Sequence, residues 1–97
     1  MAHRLAEASF RMVQVELDDE RANTLGRVAR RLEAARRRHA ELSARLAVDG
    51  SEELRLAHRA AREEAEHWRW TLCVQREAIG LYDHRWVDRV YPALPAA

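Results

Sequence analysis

Leu25, Val28, Leu32, Ala35, His39, Leu42 and Leu46 follow one another at alternating steps of three and four residues. That rhythm keeps every one of these side chains on a single line of an α-helix, the a/d seam of a coiled coil, over about three heptads. A strand would repeat every two residues, so the pattern excludes one here. A stripe of this kind must be covered by a neighbour. The chain supplies one after Val48-Asp49-Gly50-Ser51. Gly50 offers a left-handed turn, and Ser51 offers an N-cap with Glu52 and Glu53 in the first turn behind it. Leu54, Ala61, Ala65, Trp68, Leu72, Gln75 and Ile79 then define the main face of a second helix, and Gly80 is a natural stop. The sequence therefore predicts an all-α fold built on an antiparallel hairpin, with helices at about 19–48 and 52–80, each ~43 Å long at 1.5 Å per residue.

The flanks are shorter. Asp18 or Asp19 is the expected cap of the first helix, since acids suit its positive end. Leu5, Ala8, Met12 and Val15 fit a helix within an accessory segment, residues 1–17. Val13 to Leu17 alternates like a strand, but a lone strand would need a partner that the chain lacks. After Gly80, Asp83 is placed to cap a short helix at about 84–91, with Trp86, Val87 and Val90 inward. Pro92 ends it, leaving 92–97 as a tail.

Composition narrows the functional classes. The chain has 97 residues, enough for one small domain. All 17 basic residues are arginine, which with the many alanines reads as base-composition bias of a bacterial type. The formal charge of +1 gives no global field to steer nucleic acid. Locally, seven arginines in residues 27–45 face only Glu33 and Glu41, while 49–66 holds six acids and three arginines. Opposite signs suit antiparallel partners. Cys73 is the single cysteine, so no internal disulfide forms, and a reducing compartment is the expectation. The N-terminus has no signal-peptide core, and no run approaches a membrane span. The expected location is the cytoplasm, with no membrane partner.

The second helix is too apolar for one neighbour. Trp68 lies on the hairpin face, whereas Trp70, Val74 and Leu81 point to nearly the opposite side. A second copy would cover that side and complete a four-helix bundle. The predicted interface residues are Trp68, Trp70, Val74, Leu81, Trp86 and Tyr91, in a homodimer that also offers a surface to a protein partner.

Three motifs bear on chemistry. Glu64 and His67 stand three apart on one helix face and could share an iron, manganese or zinc ion. The motif resembles that of the small two-helix ferritin-like proteins found as encapsulin cargo, through Glu63 to His67, the hairpin, and His58 upstream. That resemblance implies a di-iron site completed across a dimer by a glutamate of the first helix. The candidate there, Glu33, falls at heptad position b, away from the seam, among Arg30, Arg31, Arg36 and Arg37. The preferred reading pairs Glu64 with a first-helix arginine and sets His67 at the interface edge. His39 occupies an a position, as a buried polar residue that sets register, and a hairpin turning at 49–50 brings it near His58, giving pH sensitivity near 6 to 7. Arg55, Arg59, Arg62, Arg69 and Arg76 keep helical spacing on a polar face. Interspersed glutamates make that a solvated, salt-bridged face before a phosphate-binding one. No nucleophile elbow, phosphate loop or Cys-His arrangement appears, so catalytic residues and cofactors are both expected to be none. The sequence thus predicts a small cytosolic interaction or scaffold protein acting by self-association. The alternatives are a ferritin-like metal binder using Glu64 and His67 and an arginine-face nucleic-acid binder.

Overall fold

A computed structural model describes residues 2–95, with side chains at 11–16 and 18–95. Three helices make it up: α1 (Ala2–Leu46), α2 (Glu52–Ala78) and the short α3 (Arg85–Val90). No strand occurs among the described residues. α1 and α2 form the antiparallel hairpin, and α3 folds back over its open end.

The seam is buried as its spacing requires. Val28, Leu32, Ala35, His39 and Leu42 are buried, and Leu25 and Leu46 at its ends are partly buried. Opposite them lie Leu54, Ala61, Ala65 and Leu72. The core splits into two clusters. One joins Leu32, Ala35, Ala65 and Leu72 to Val87 and Tyr91 of the C-terminal segment; the other joins Leu42, Leu54 and Ala61 near the turn. His39 sits between Ala35 and Leu42 in the seam, where the two clusters part.

α1 differs from expectation at its start. It does not begin at Asp18 or Asp19 but runs unbroken from Ala2, so residues 13–17 are helical. No proline interrupts it, and the acids are used along the helix rather than as caps. Gln14 donates to Asp18 at 3.1 Å, Arg21 pairs with Asp18 at 3.7 Å and Arg27 with Glu20 at 3.6 Å. The first two pairs span one helical turn and the third two turns, and such pairs support a helix from within. The side chains of Leu5 and Ala8 lie outside the described ones. The seam itself turns polar upstream: the same three-four steps run on through Arg21, Asp18, Gln14 and Arg11. α2 ends where the apolar seam ends. The N-terminal part of α1 therefore projects past its partner, and the molecule measures 72 × 22 × 15 Å.

The helix ends are set by local chemistry. Ser51 Oγ accepts the Leu54 amide at 3.3 Å, the N-cap expected of it. Gly50 is not left-handed; Gly80 is, at φ 89°. There Leu81 N donates to Arg76 O at 2.9 Å and Gly80 N to Glu77 O at 3.0 Å. This pair of bonds is a Schellman stop, with glycine at the position that needs positive φ. Asp83 Oδ1 accepts the Arg85 amide at 3.0 Å and so steadies the entry to α3. Within α3 only Val87 turns fully inward. Trp86 and Val90, expected inside, are 44% and 45% exposed, because a single turn and a half offers the hairpin one narrow face.

Candidate functional site

Two surfaces stand out, and the arginines decide which part of α2 each one occupies. The row Arg62, Arg69 and Arg76 does not face solvent as a phosphate-ready strip. Arg69 Nε donates to Tyr91 O at 2.8 Å, and its guanidinium also pairs with Asp88. Arg62 donates to Pro95 O and pairs with Glu66. From α1, Arg36 donates to Pro92 O at 2.6 Å. These groups strap residues 91–95 onto the hairpin by their backbone carbonyls, with Leu94 packed against the core. The expected free tail is thus bound as far as Pro95. Sequence reasoning missed this clamp. The signal was present in the helical spacing of the row, but nothing in the spacing names a carbonyl as the partner. Among the described residues no ion pair joins α1 to α2, so the opposite local charges of the two helices do not meet in direct pairs.

Tyr91 belongs to the same clamp. It was expected at an interface, but it is buried, and its hydroxyl donates to Glu33 Oε1 at 2.6 Å. Burial, with the Glu33 hydrogen bond and charge adding to it, pushes the phenol up to about 12. Glu33 is the carboxylate a hairpin metal site would have drawn from α1. Glu64 and His67 are both exposed, and no group of three or more His, Cys, Asp or Glu side chains converges among the described residues. The pair stands without further protein ligands in one chain.

Trp68 is partly buried against the core, beneath the Arg31 guanidinium at 4.9 Å from its ring. It is a hairpin residue rather than an exposed docking residue. Trp70 is different. It is 64% exposed, while Val74 is 39% and Leu81 43% exposed. Leu56, which the sequence reading passed over, is 54% exposed on the same side. Leu56, Ala60, Glu63, His67, Trp70, Val74 and Glu77 follow one another at steps of four and three, whereas Leu81 lies beyond the end of α2, past the left-handed Gly80, and so is not on the seam the sequence predicts for it. α2 therefore carries a second seam, on the side away from α1. The seven-residue returns from Leu56 through Glu63 to Trp70 were the signal for it. His67 belongs to this seam, with its ring 6.5 Å from that of Trp70, and Glu64 lies beside it at the seam's edge.

His39 and His58 do come together, with ring centroids 4.3 Å apart. His58 Nε2 meets Ser43 Oγ at 2.8 Å, whereas His39 Nε2 is buried without a partner. Burial holds the His39 imidazole below its ordinary pKa, and the nearby His58, Arg62 and Arg36 act in the same direction against Glu66. Cys73, partly buried against the core, lines a cavity of about 280 Å³ under the strap with Trp70 and Leu94.

No known protein family matches this chain, and comparison with curated proteins and with solved structures finds no similar protein. No described helix is long and apolar enough to cross a membrane.

Proposed function

We propose that this protein is an interaction module that works by self-association, with the second seam of α2 as its working face. The observation that carries the reading is Trp70, 64% exposed in the middle of that seam with Leu56 and Val74 along the same line. Covering the exposed part of one such indole stabilises by on the order of 3 kcal/mol. A second α2 laid against the first gives the four-helix arrangement in which each α2 has a neighbour on both sides. Stable pairs need roughly 800 Å² from each partner, and a seam this long with the projecting part of α1 is of that scale.

The projecting helix points the same way. Residues 11–16 and 18–23 of α1 are exposed, among them Met12 at 67%, Val13 at 53% and Val15 at 59%. A helix without tertiary neighbours is marginal in water at this length, so it gains most from a second chain. The interspersed Glu63, His67 and Glu77 limit the seam to a specific register, because a misaligned copy would bury a carboxylate against an apolar side chain.

The reading is tested by acrylamide quenching of tryptophan emission in a Trp86→Phe background across a dilution series. Quenching that weakens as concentration rises supports coverage of Trp70. Strong quenching of Trp70 that persists undiminished up to the millimolar range contradicts it.

A further inference from the structure

The junction of α2 and α3 holds a concave site that the association reading leaves unused. The Schellman turn at Gly80 sends the chain back over α2, and Arg76 Nη2 fixes the return by donating to Asp83 O at 3.1 Å. Between them lies a cavity of about 550 Å³. That is within the range of roughly 300 to 1,000 Å³ that small-molecule sites occupy. Its apolar walls are Leu81, Tyr82 and Trp86, at 43%, 74% and 44% exposure. Two flat rings that remain this open offer stacking surface rather than core packing.

The charges of the site are predominantly positive. Arg76, Arg85 and Arg89 line it against the single carboxylate Asp83. Asp83 is already committed: Arg85 Nη2 donates to Oδ2 at 2.6 Å and Arg85 Nε to both oxygens at 3.0 Å. Those bonds hold the Asp83 carboxyl below its usual range. Arg76 and Arg89 are left to set the potential. The Arg76 guanidinium is held over Trp86, 5.2 Å from the ring centroid, and its buried Nε has no hydrogen-bond partner. A buried donor without an acceptor costs about 1 to 3 kcal/mol, and an anionic oxygen is the group that best relieves it. Cations are repelled by the same guanidiniums, and a purely apolar ligand would leave them desolvated and unpaired.

We propose that this cavity binds a small anion that carries a flat aromatic group, of the aryl carboxylate or aryl phosphate class. The aromatic part stacks on Trp86 and Tyr82, and the anionic head is taken by Arg89 and Arg76. The cavity shares none of its lining with Leu56, Trp70 or Val74, and its ligand does not depend on their association.

The test is titration of the full chain, at a dilution where it is monomeric or dimeric alike, with 2-naphthoate, its neutral counterpart 2-naphthamide, and inorganic phosphate. The indole N–H resonances of the three tryptophans report the place of binding. The expected result is saturable binding of naphthoate that moves the Trp86 resonance and leaves the Trp70 resonance in place. Naphthamide and inorganic phosphate should each bind at least about tenfold more weakly, the loss of one charge-assisted contact or of the stacking. Arg89→Gln should weaken naphthoate by about tenfold, and Tyr82→Ala, at an exposed loop position, should weaken it too. The proposal is overturned by naphthamide binding as tightly as naphthoate, by a shift at Trp70 in place of Trp86, by unchanged affinity in folded Arg89→Gln, or by no saturable binding at millimolar naphthoate.

Discussion

Tyr91 and Glu33, 58 residues apart in sequence, are joined by a 2.6 Å hydrogen bond that ties the end of the chain to the middle of α1. The donor is a buried phenol and the acceptor a carboxylate, a charge-assisted bond of the stronger kind. It commits Glu33, the α1 carboxylate nearest in kind to the one the ferritin-like resemblance implies, to a bond within the chain. It also makes the C-terminal segment part of the core.

Tyr91→Phe should keep the ring packed and lose the bond. The expected cost is about 1 kcal/mol in urea unfolding at neutral pH. The alkaline limb distinguishes the bond from packing. The folded phenol titrates at about 12, above its ordinary 10.0. The neutral form is therefore favoured by folding. Its stabilisation is complete below pH 10 and is lost as pH rises toward 12. Tyr91→Phe should flatten stability in that window, and an unchanged slope would contradict the assignment.

His39 gives the opposite limb. Its folded pKa lies below 6.5, so folding favours the neutral imidazole. Stability is then fully present above pH 6.5 and falls as pH drops below it, levelling off under the lowered folded value. His39→Leu removes a buried nitrogen that has no partner and completes the seam. Thermal melts should show a gain of about 1 kcal/mol at neutral pH and a smaller loss between neutral pH and pH 5. A destabilised variant with the original acid limb would show that His58 or another group carries the effect.

The strap predicts a difference between arginines that look alike in sequence. Arg69 bonds Tyr91 O and Asp88, while Arg59 is exposed on the outer side of α2. Arg69→Met should cost about 1 to 2 kcal/mol. Arg59→Met should stay within about 0.5 kcal/mol. Chemical denaturation of the two variants side by side decides it; equal effects would mean that the strap contributes no stability.

Sequence periodicity carried the hairpin, because burial along Leu25 to Leu46 depends only on which side of a helix a residue occupies. Ser51 and Gly80 were legible for the same reason: each answers a local backbone need. Three features were not. The start of α1 was misplaced because Asp18 and Asp19 serve equally well as caps and as helix-surface pair partners, and spacing does not choose between them. Gly50 was assigned a conformation that the turn does not require. The strap was missed because Arg36, Arg62 and Arg69 bind backbone carbonyls, which carry no residue-specific signature. Of the candidate site, Trp70 and Val74 were legible as a second apolar side of α2; Leu81 falls outside it because Gly80 stops the helix first, and Leu56 extends it only when the seven-residue return is followed back.

The projecting part of α1 should behave as a separate unit. In dilute solution the amides of residues 11–20 should exchange within seconds, while those of 28–42 are protected to the level of global unfolding. Protection of 11–20 that grows with protein concentration would place this helix inside the assembly. Equal protection of both regions in a dilute monomer would contradict the absence of neighbours around it.

The central claim is association through Trp70, and sedimentation equilibrium on the full chain tests it most directly. The account predicts a mass twice the 11.3 kDa of one chain at micromolar concentration. It further predicts that Trp70→Asp returns the mass to one chain while the helical circular dichroism of the α1–α2 hairpin persists. A single-chain mass for the unaltered protein at hundreds of micromolar, or a dimer that survives Trp70→Asp, would contradict it.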